Sequence, residues 1–145
     1  INVLDITENV RFKREVLQNI NLFDVYSIVE GETPEIIAEK FYGDANLHWV
    51  VMIANGRYDY INDFPLTQRS LELFIVDKYG EEHINDVHHW EDLNGIILSI
   101  QGNFNNGIPI TNSEYEERIN ESKRNINIPH PKLISSLLRE FKDLL

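Results

Sequence analysis

Between positions 26 and 60 the chain reads YSIVEGETPEIIAEKFYGDANLHWVVMIANGRYDY, and the order of start and stop signals in it leaves few ways to fold. Val25, Tyr26, Ile28 and Val29 form a short β-favouring run, which Gly31 can turn because it has no Cβ. Thr33 is placed as an N-cap, Pro34 suits the first helical position, and Glu35 lies next to the positive end of the helix dipole. A helix is therefore expected to begin at Pro34. Ile36, Ile37, Lys40 and Phe41 fall at helical spacing on one side, and Gly43 permits a left-handed stop. Asp44 then caps a second helix over residues 45–54, apolar nearly all round through Leu47, Trp49, Val50, Val51, Met52 and Ile53, which predicts burial on most sides. Asn55-Gly56 ends it. A strand and two short helices have one apolar face between them, a unit suited to gripping something.

The whole chain of 145 residues is the size of one domain, and a chain of this length buries roughly 70% of the surface its unfolded form exposes. Residues 2–23 remain open: Val10 and Phe12 suggest a strand, while Phe12, Val16, Leu17 and Ile20 suggest a helix. Further on, Thr67 is placed to cap a helix over residues 68–79, with Leu71, Phe74, Ile75 and Val76 on its buried side and Gly80 at its end. Asn94-Gly95 separates two β-favouring runs and predicts a hairpin, because both turn residues tolerate positive φ. An Asn- and Gly-rich loop over 102–107 follows, and Pro109 opens a more ordered stretch. Residues 113–124 fit either a helix, with Tyr115 and Ile119 four apart, or an extended segment. Ile126 and Ile128 alternate with Asn125 and Asn127, a short strand that Pro129 is expected to stop. Last comes an amphipathic helix carrying Leu133, Ile134, Leu137, Leu138, Phe141, Leu144 and Leu145, which could serve equally as core or as a docking element.

Several functions are disfavoured by composition. Thirteen basic against twenty-four acidic side chains leave a net charge of −11, whereas wrapping nucleic acid requires a positive patch. The acidity fits simple solubility, or a part kept from self-associating until its partners arrive. The absence of cysteine removes disulfides and thiolate metal sites. No apolar run approaches the ~20 residues that span a bilayer, and the first residues lack the order of a signal peptide, so a soluble chain is expected. His83, His88 and His89 invite a metal reading, with Glu81, Glu82, Asp86, Glu91 and Asp92 nearby. On a strand, however, His88 and His89 point to opposite faces, which favours surface positions on the hairpin. His48 has Met52, not a ligand, at i+4. Glu81-Glu82 and Glu116-Glu117 read as solvated faces, and no catalytic motif occurs. No catalytic residue, metal or cofactor is expected. Trp49 is read as core, whereas Trp90 fits core or interface.

Strand, GET turn, helix, short link, helix and Asn follow the order of a LysM module, the small glycan-binding βααβ unit. The longer series is more specific: Pro34-Glu35, Ala38, Tyr42-Gly43, Leu47-His48-Trp49, Asn55, Asp59, Phe64-Pro65-Leu66 and Lys78-Tyr79-Gly80. Near the end, Asn120-Glu121-Ser122-Lys123-Arg124 leads to Ile126, Ile128 and Pro129. This series resembles the LysM-bearing baseplate wedge protein of contractile-tailed, T-even-type bacteriophages; only residues 81–107 fit loosely.

The resemblance implies an α+β fold: a LysM-like strand-helix-helix module with an inserted helix and β-hairpin and a C-terminal amphipathic helix. It makes residues 1–145 a single baseplate-wedge-like domain, with the module at 24–60 and an insertion at 61–123. A LysM module needs a second strand beside its first, and residues 125–128 are expected to supply it. The implied function is a structural component of a phage tail baseplate that joins neighbouring wedge sectors by protein–protein contacts. It implies as partners other baseplate wedge proteins and the sheath-initiator component, with no nucleic acid or membrane. Multiple copies would stand in a symmetric assembly, located in the virion and assembled in the host cytoplasm. Carried onto this chain, the LysM groove lies between Glu30, Gly31, Glu32 and Thr33 on one side and Asn55, Gly56, Arg57, Tyr58 and Asp59 on the other; ordinary turn chemistry also explains these residues. The alternative is a LysM-type peptidoglycan-binding module, with Tyr58 and Tyr60 as its sugar-facing aromatics.

Overall fold

The structure, a computed structural model, describes residues 22–99 and 106–144. The readings for residues 2–21 and 102–105, and for the side chains of Leu137, Phe141, Leu144 and Leu145, lie outside the described residues. The fold is α+β, and the described chain divides into two compact units, residues 22–64 with 124–144, and Pro65–Lys123.

The first unit is built on strand β1 (Phe23–Ser27) and strand β5 (Asn125–Pro129), which pair antiparallel with Phe23 opposite Pro129 and Ser27 opposite Asn125. Almost a hundred residues of sequence separate the two strands. The alternation read in Asn125 to Ile128 is real: Ile126 and Ile128 are buried and Asn125 and Asn127 exposed. Pro129 is itself the last strand residue rather than a stop beyond it.

Helix α1 (Pro34–Tyr42) starts where its signals lie. Thr33 has extended backbone and accepts from the Ile36 N–H, and Gly43 at φ 69° closes the helix with its N–H on the Glu39 carbonyl. Its inward face is Ile37 and Ala38, while Ile36 is exposed, so the stripe sits one position later than its spacing suggests. Residues 45–54 are not one helix. A 3-10 turn over Ala45–Leu47, capped by Asp44, leads into helix α2 (His48–Ala54). These elements enclose one core of Ile28, Ile37, Ala38, Leu47, Val50, Val51, Met52, Phe64, Ile126, Ile128 and Ile134. Each large aliphatic side chain here contributes roughly 1.5–3 kcal/mol by leaving water. Ile134 belongs to the last helix, α5 (Pro131–Leu144), whose Leu138 also packs on this core. Tyr42 ties α1 to the end of β5 by donating to the Pro129 carbonyl at 2.7 Å, and burial pushes its phenol above the ordinary range.

In the second unit, helix α3 (Gln68–Tyr79) is capped by Thr67 and ended by Gly80, as its sequence predicts. Leu71 and Ile75 form its buried side, and Phe74 and Val76 are exposed. Three strands follow: β2 (Val87–Glu91), β3 (Ile97–Ser99) and β4 (Ile108–Thr111), antiparallel in the order β3-β2-β4. The β2–β3 hairpin turns at Asn94-Gly95, where Gly95 has φ 78° and the Asp92 carboxylate accepts from the Asn94 and Ile96 N–H groups. Residues 113–124 resolve as helix: α4 (Asn112–Ser122) has a full capping box between Thr111 and Glu114. Its buried residues are Asn112, Glu116 and Asn120, a polar stripe at spacing four. Asn120 exchanges hydrogen bonds with the Leu66 backbone at 2.7 and 3.1 Å, and Asn112 donates to the His83 carbonyl at 2.8 Å.

Candidate functional site

The two groups of groove residues flank the start of β5 and are largely occupied with holding their own turns. In the first turn the Glu32 carboxylate accepts from the Tyr26 hydroxyl at 2.6 Å, the Val29 N–H at 2.9 Å and the Lys40 ammonium at 3.3 Å. Burial pushes this carboxyl up, but those three donors outweigh it and hold it below the usual carboxylate range. Gly31 takes φ 82°, Thr33 is the helix cap, and Glu30 lies 3.7 Å from Arg124, which also donates to the Ile28 carbonyl.

The second group is pinned more firmly. Asn55 donates to the Val51 and Asn127 carbonyls and accepts from the Asn127 N–H, each at 2.8 Å, so one side chain joins the end of α2 to β5. Gly56 turns the chain at φ 63°, and Arg57 reaches the Asn125 carbonyl at 3.4 Å with its guanidinium over the Phe64 ring. Burial lowers the Arg57 pKa, against the pull of Asp63. Asp59 accepts from the N–H groups of Ile61 and Asn62, while Asp63 accepts from those of Tyr58 and Asp59. Of the nine residues, Tyr58 alone puts a large apolar surface into solvent, at 56% exposed.

Beside this second group opens a cavity of about 190 Å³. Arg57 and Tyr58 line it together with His48, Trp49, Met52, Ile53 and Tyr60. Trp49 is therefore not simply core: it is half-buried, packed on the core with one side and lining the cavity with the other. Reading α2 as buried on most sides hid this. Trp49, Met52 and Ile53 recur at spacings of three and four and make a second stripe on α2, which is the signal that could have revealed it. Two of the cavity's polar groups have partners within the chain: His48 Nδ1 meets the Ala45 carbonyl at 3.1 Å, and the Tyr60 hydroxyl meets Glu35. Burial, then the Glu35 carboxylate, pushes the Tyr60 phenol up to about 12.

His88 and His89 correct the sequence reading, whereas His83 is exposed as expected. A bulge between Val87 and His89, where β2 shifts register against β4, breaks strict alternation and brings His88 and His89 into contact at 2.8 Å between their Nδ1 atoms. His89 is 3% exposed and not on the surface. Its Nε2 meets Glu91 at 2.7 Å, and Arg118 grips the same carboxylate at 3.0 and 2.9 Å. His88 stacks on Tyr115, with ring centroids 3.8 Å apart. Burial, then the neighbouring His89, lowers the His88 pKa, while His89 and Arg118 hold Glu91 below the ordinary range. Glu116 is likewise buried rather than solvated, taking bonds from Lys78 and from the Tyr79 hydroxyl. Among the described residues no group of three or more His, Cys, Asp or Glu is placed to hold a metal ion, and no helix is long and apolar enough to cross a membrane. These acids and bases bond to one another, as in a structural network.

Small antiparallel sheets and short capped helices define the fold as α+β. A family model described as base plate wedge protein 53 matches residues 1–100. The chain belongs to that family, and is thereby a structural component of a phage tail baseplate that assembles with other baseplate proteins. No curated protein matches the sequence.

Proposed function

We propose that this chain joins neighbouring wedge sectors of the baseplate through protein–protein contacts. Membership of the wedge family over residues 1–100 is the observation that carries this reading. In it, residues 1–145 act as one wedge-like domain. A LysM-like module at 24–60 is completed by the strand at 125–128, and residues 61–123 are an insertion returning to the same sheet; the β1–β5 ladder supports this arrangement. The groove of Glu30, Gly31, Glu32, Thr33, Asn55, Gly56, Arg57, Tyr58 and Asp59 then serves protein contact, not sugar contact. Other wedge proteins and the sheath-initiator component are its partners, in multiple copies of a symmetric ring built in the host cytoplasm. The chain has no enzymatic role there.

Cross-linking mass spectrometry on purified tails tests this. Links from this chain to proteins of two adjacent wedges are expected, and links confined to a single wedge would overturn the joining role. On purified cell wall or chitin the isolated chain is expected to show no retention; strong retention would favour glycan binding instead.

A further inference from the structure

Resting on the proposed protein-contact role, we infer that the cavity beside α2 is an anchor pocket for one large apolar side chain of a neighbouring baseplate protein, presented next to lysine or arginine. Three observations support it. At about 190 Å³ the cavity is below the ~300–1,000 Å³ of sites that enclose a whole small ligand, and is of side-chain size. Trp49, Tyr58, Tyr60, Met52 and Arg57 are the residue types enriched at the centres of protein interfaces, and Ile53 adds a further apolar wall. Sugar recognition would favour several free hydrogen-bonding groups here, yet the lining is mostly aromatic and aliphatic, and His48 Nδ1, Arg57 and the Tyr60 hydroxyl already have partners in Ala45, Asn125 and Glu35. An apolar guest asks nothing of those groups.

Charge specifies what surrounds the guest. Glu35 hydrogen-bonds Tyr60, and Asp63 accepts from the Tyr58 N–H with Asp59 next in the chain. Glu35 and Asp63 thus bond to the lining residues Tyr60 and Tyr58, Asp59 follows Tyr58, and of the three Asp63 faces Arg57, on a chain whose net charge is −11. Such a rim attracts a cationic segment and repels a second copy of this acidic chain. The neighbouring aromatic and aliphatic surface, Tyr58 at 56%, Tyr60 at 41% and Ile61 at 73% exposed, widens the apolar contact around the opening.

The test places a photo-crosslinking phenylalanine analogue at position 58 of the full chain, and at exposed Glu39 as a control, in purified tails. The expected result is an adduct from position 58 to one apolar residue of a different baseplate protein, within a few positions of Lys or Arg. The Glu39 control is expected not to give that adduct. Separately, Tyr58→Ala is expected to lower competitive incorporation into tails by about thirtyfold, the scale of removing one interface hot spot, with unchanged thermal unfolding of the free chain. An adduct to glycan, to a second copy of the chain or to a segment without basic residues would overturn the inference. So would no adduct from tails that contain the chain, or unchanged incorporation of Tyr58→Ala. Absence of the chain from tails altogether would defeat the baseplate role, and this inference with it.

Discussion

Asn55 and His88 show how single side chains set this molecule's behaviour. Asn55 exchanges two hydrogen bonds with Asn127 and a third with Val51. Asn55→Ala is expected to cost about 2 kcal/mol, since net contributions of ~0.5–1.5 kcal/mol per bond are lost and strand groups are left to find water. A urea titration checks it, the midpoint falling with the slope unchanged. His88 makes the second unit acid-sensitive. Its neutral form shares one hydrogen with His89 between Nδ1 atoms, among Glu91, Arg118, Tyr115, Glu116, Lys78 and Tyr79. Because its folded pKa is lowered, the unfolded state binds more protons below the ordinary histidine value of about 6.5. Stability is therefore complete above that value and is lost as pH falls beneath it, by at most about 1.4 kcal/mol per pH unit. Glu91, with its pKa lowered, adds a separate loss as pH falls below about 4.3. Hydrogen exchange of the β2–β4 ladder between pH 7.5 and 5.5, on the order of one to two units of change across the histidine range, reads the first effect. His88→Phe, which keeps a ring on Tyr115, is expected to flatten it; an equal loss in wild type and variant would refute the assignment.

At the scale of elements, what could be read in the sequence was what local chemistry determines. Thr33-Pro34 to Gly43, Thr67 to Gly80, and the Asn94-Gly95 turn are self-contained signals, and each marks the boundary it should. Three features were hidden. Helix α4 buries Asn112, Glu116 and Asn120, so its inward stripe is polar and carries no hydrophobic periodicity. Strand β4 contains Pro109, which lacks an N–H and is tolerated because β4 lies at the sheet edge, a fact only the tertiary fold supplies. The bulge at Val87–His89 depends on pairing with β4, so strand alternation alone gave His88 and His89 the wrong relationship. Of the proposed groove residues, Arg57 and Tyr58 line the cavity beside α2, which needed the packing of Trp49 and Tyr60 to be seen. The long-range β1–β5 ladder is also where element stability concentrates. Ile128→Ala, at a fully buried position, is expected to cost ~2–5 kcal/mol by lost burial and cavity formation. Val25→Ala, at 80% exposed, should change stability by less than ~0.5 kcal/mol. Thermal unfolding of the two variants separates them, and equal effects would contradict the described face of the ladder.

For the whole molecule, the acidic surface, the exposed Tyr58–Ile61 aromatic and aliphatic patch and the wedge-family sequence agree on a part that works in company. Exposed apolar residues also gather on the hairpin, where Leu93 is 89%, Ile96 62% and Ile97 60% exposed, more than a surface with no further contacts would be expected to keep together. Cryo-electron microscopic reconstruction of the intact tail tip tests the central claim most directly. The account predicts this chain repeated around the baseplate, touching proteins of two adjacent wedges, with Tyr58 and Tyr60 covered by one of them. A baseplate in which each copy touches a single wedge, or in which those tyrosines face solvent, would contradict it.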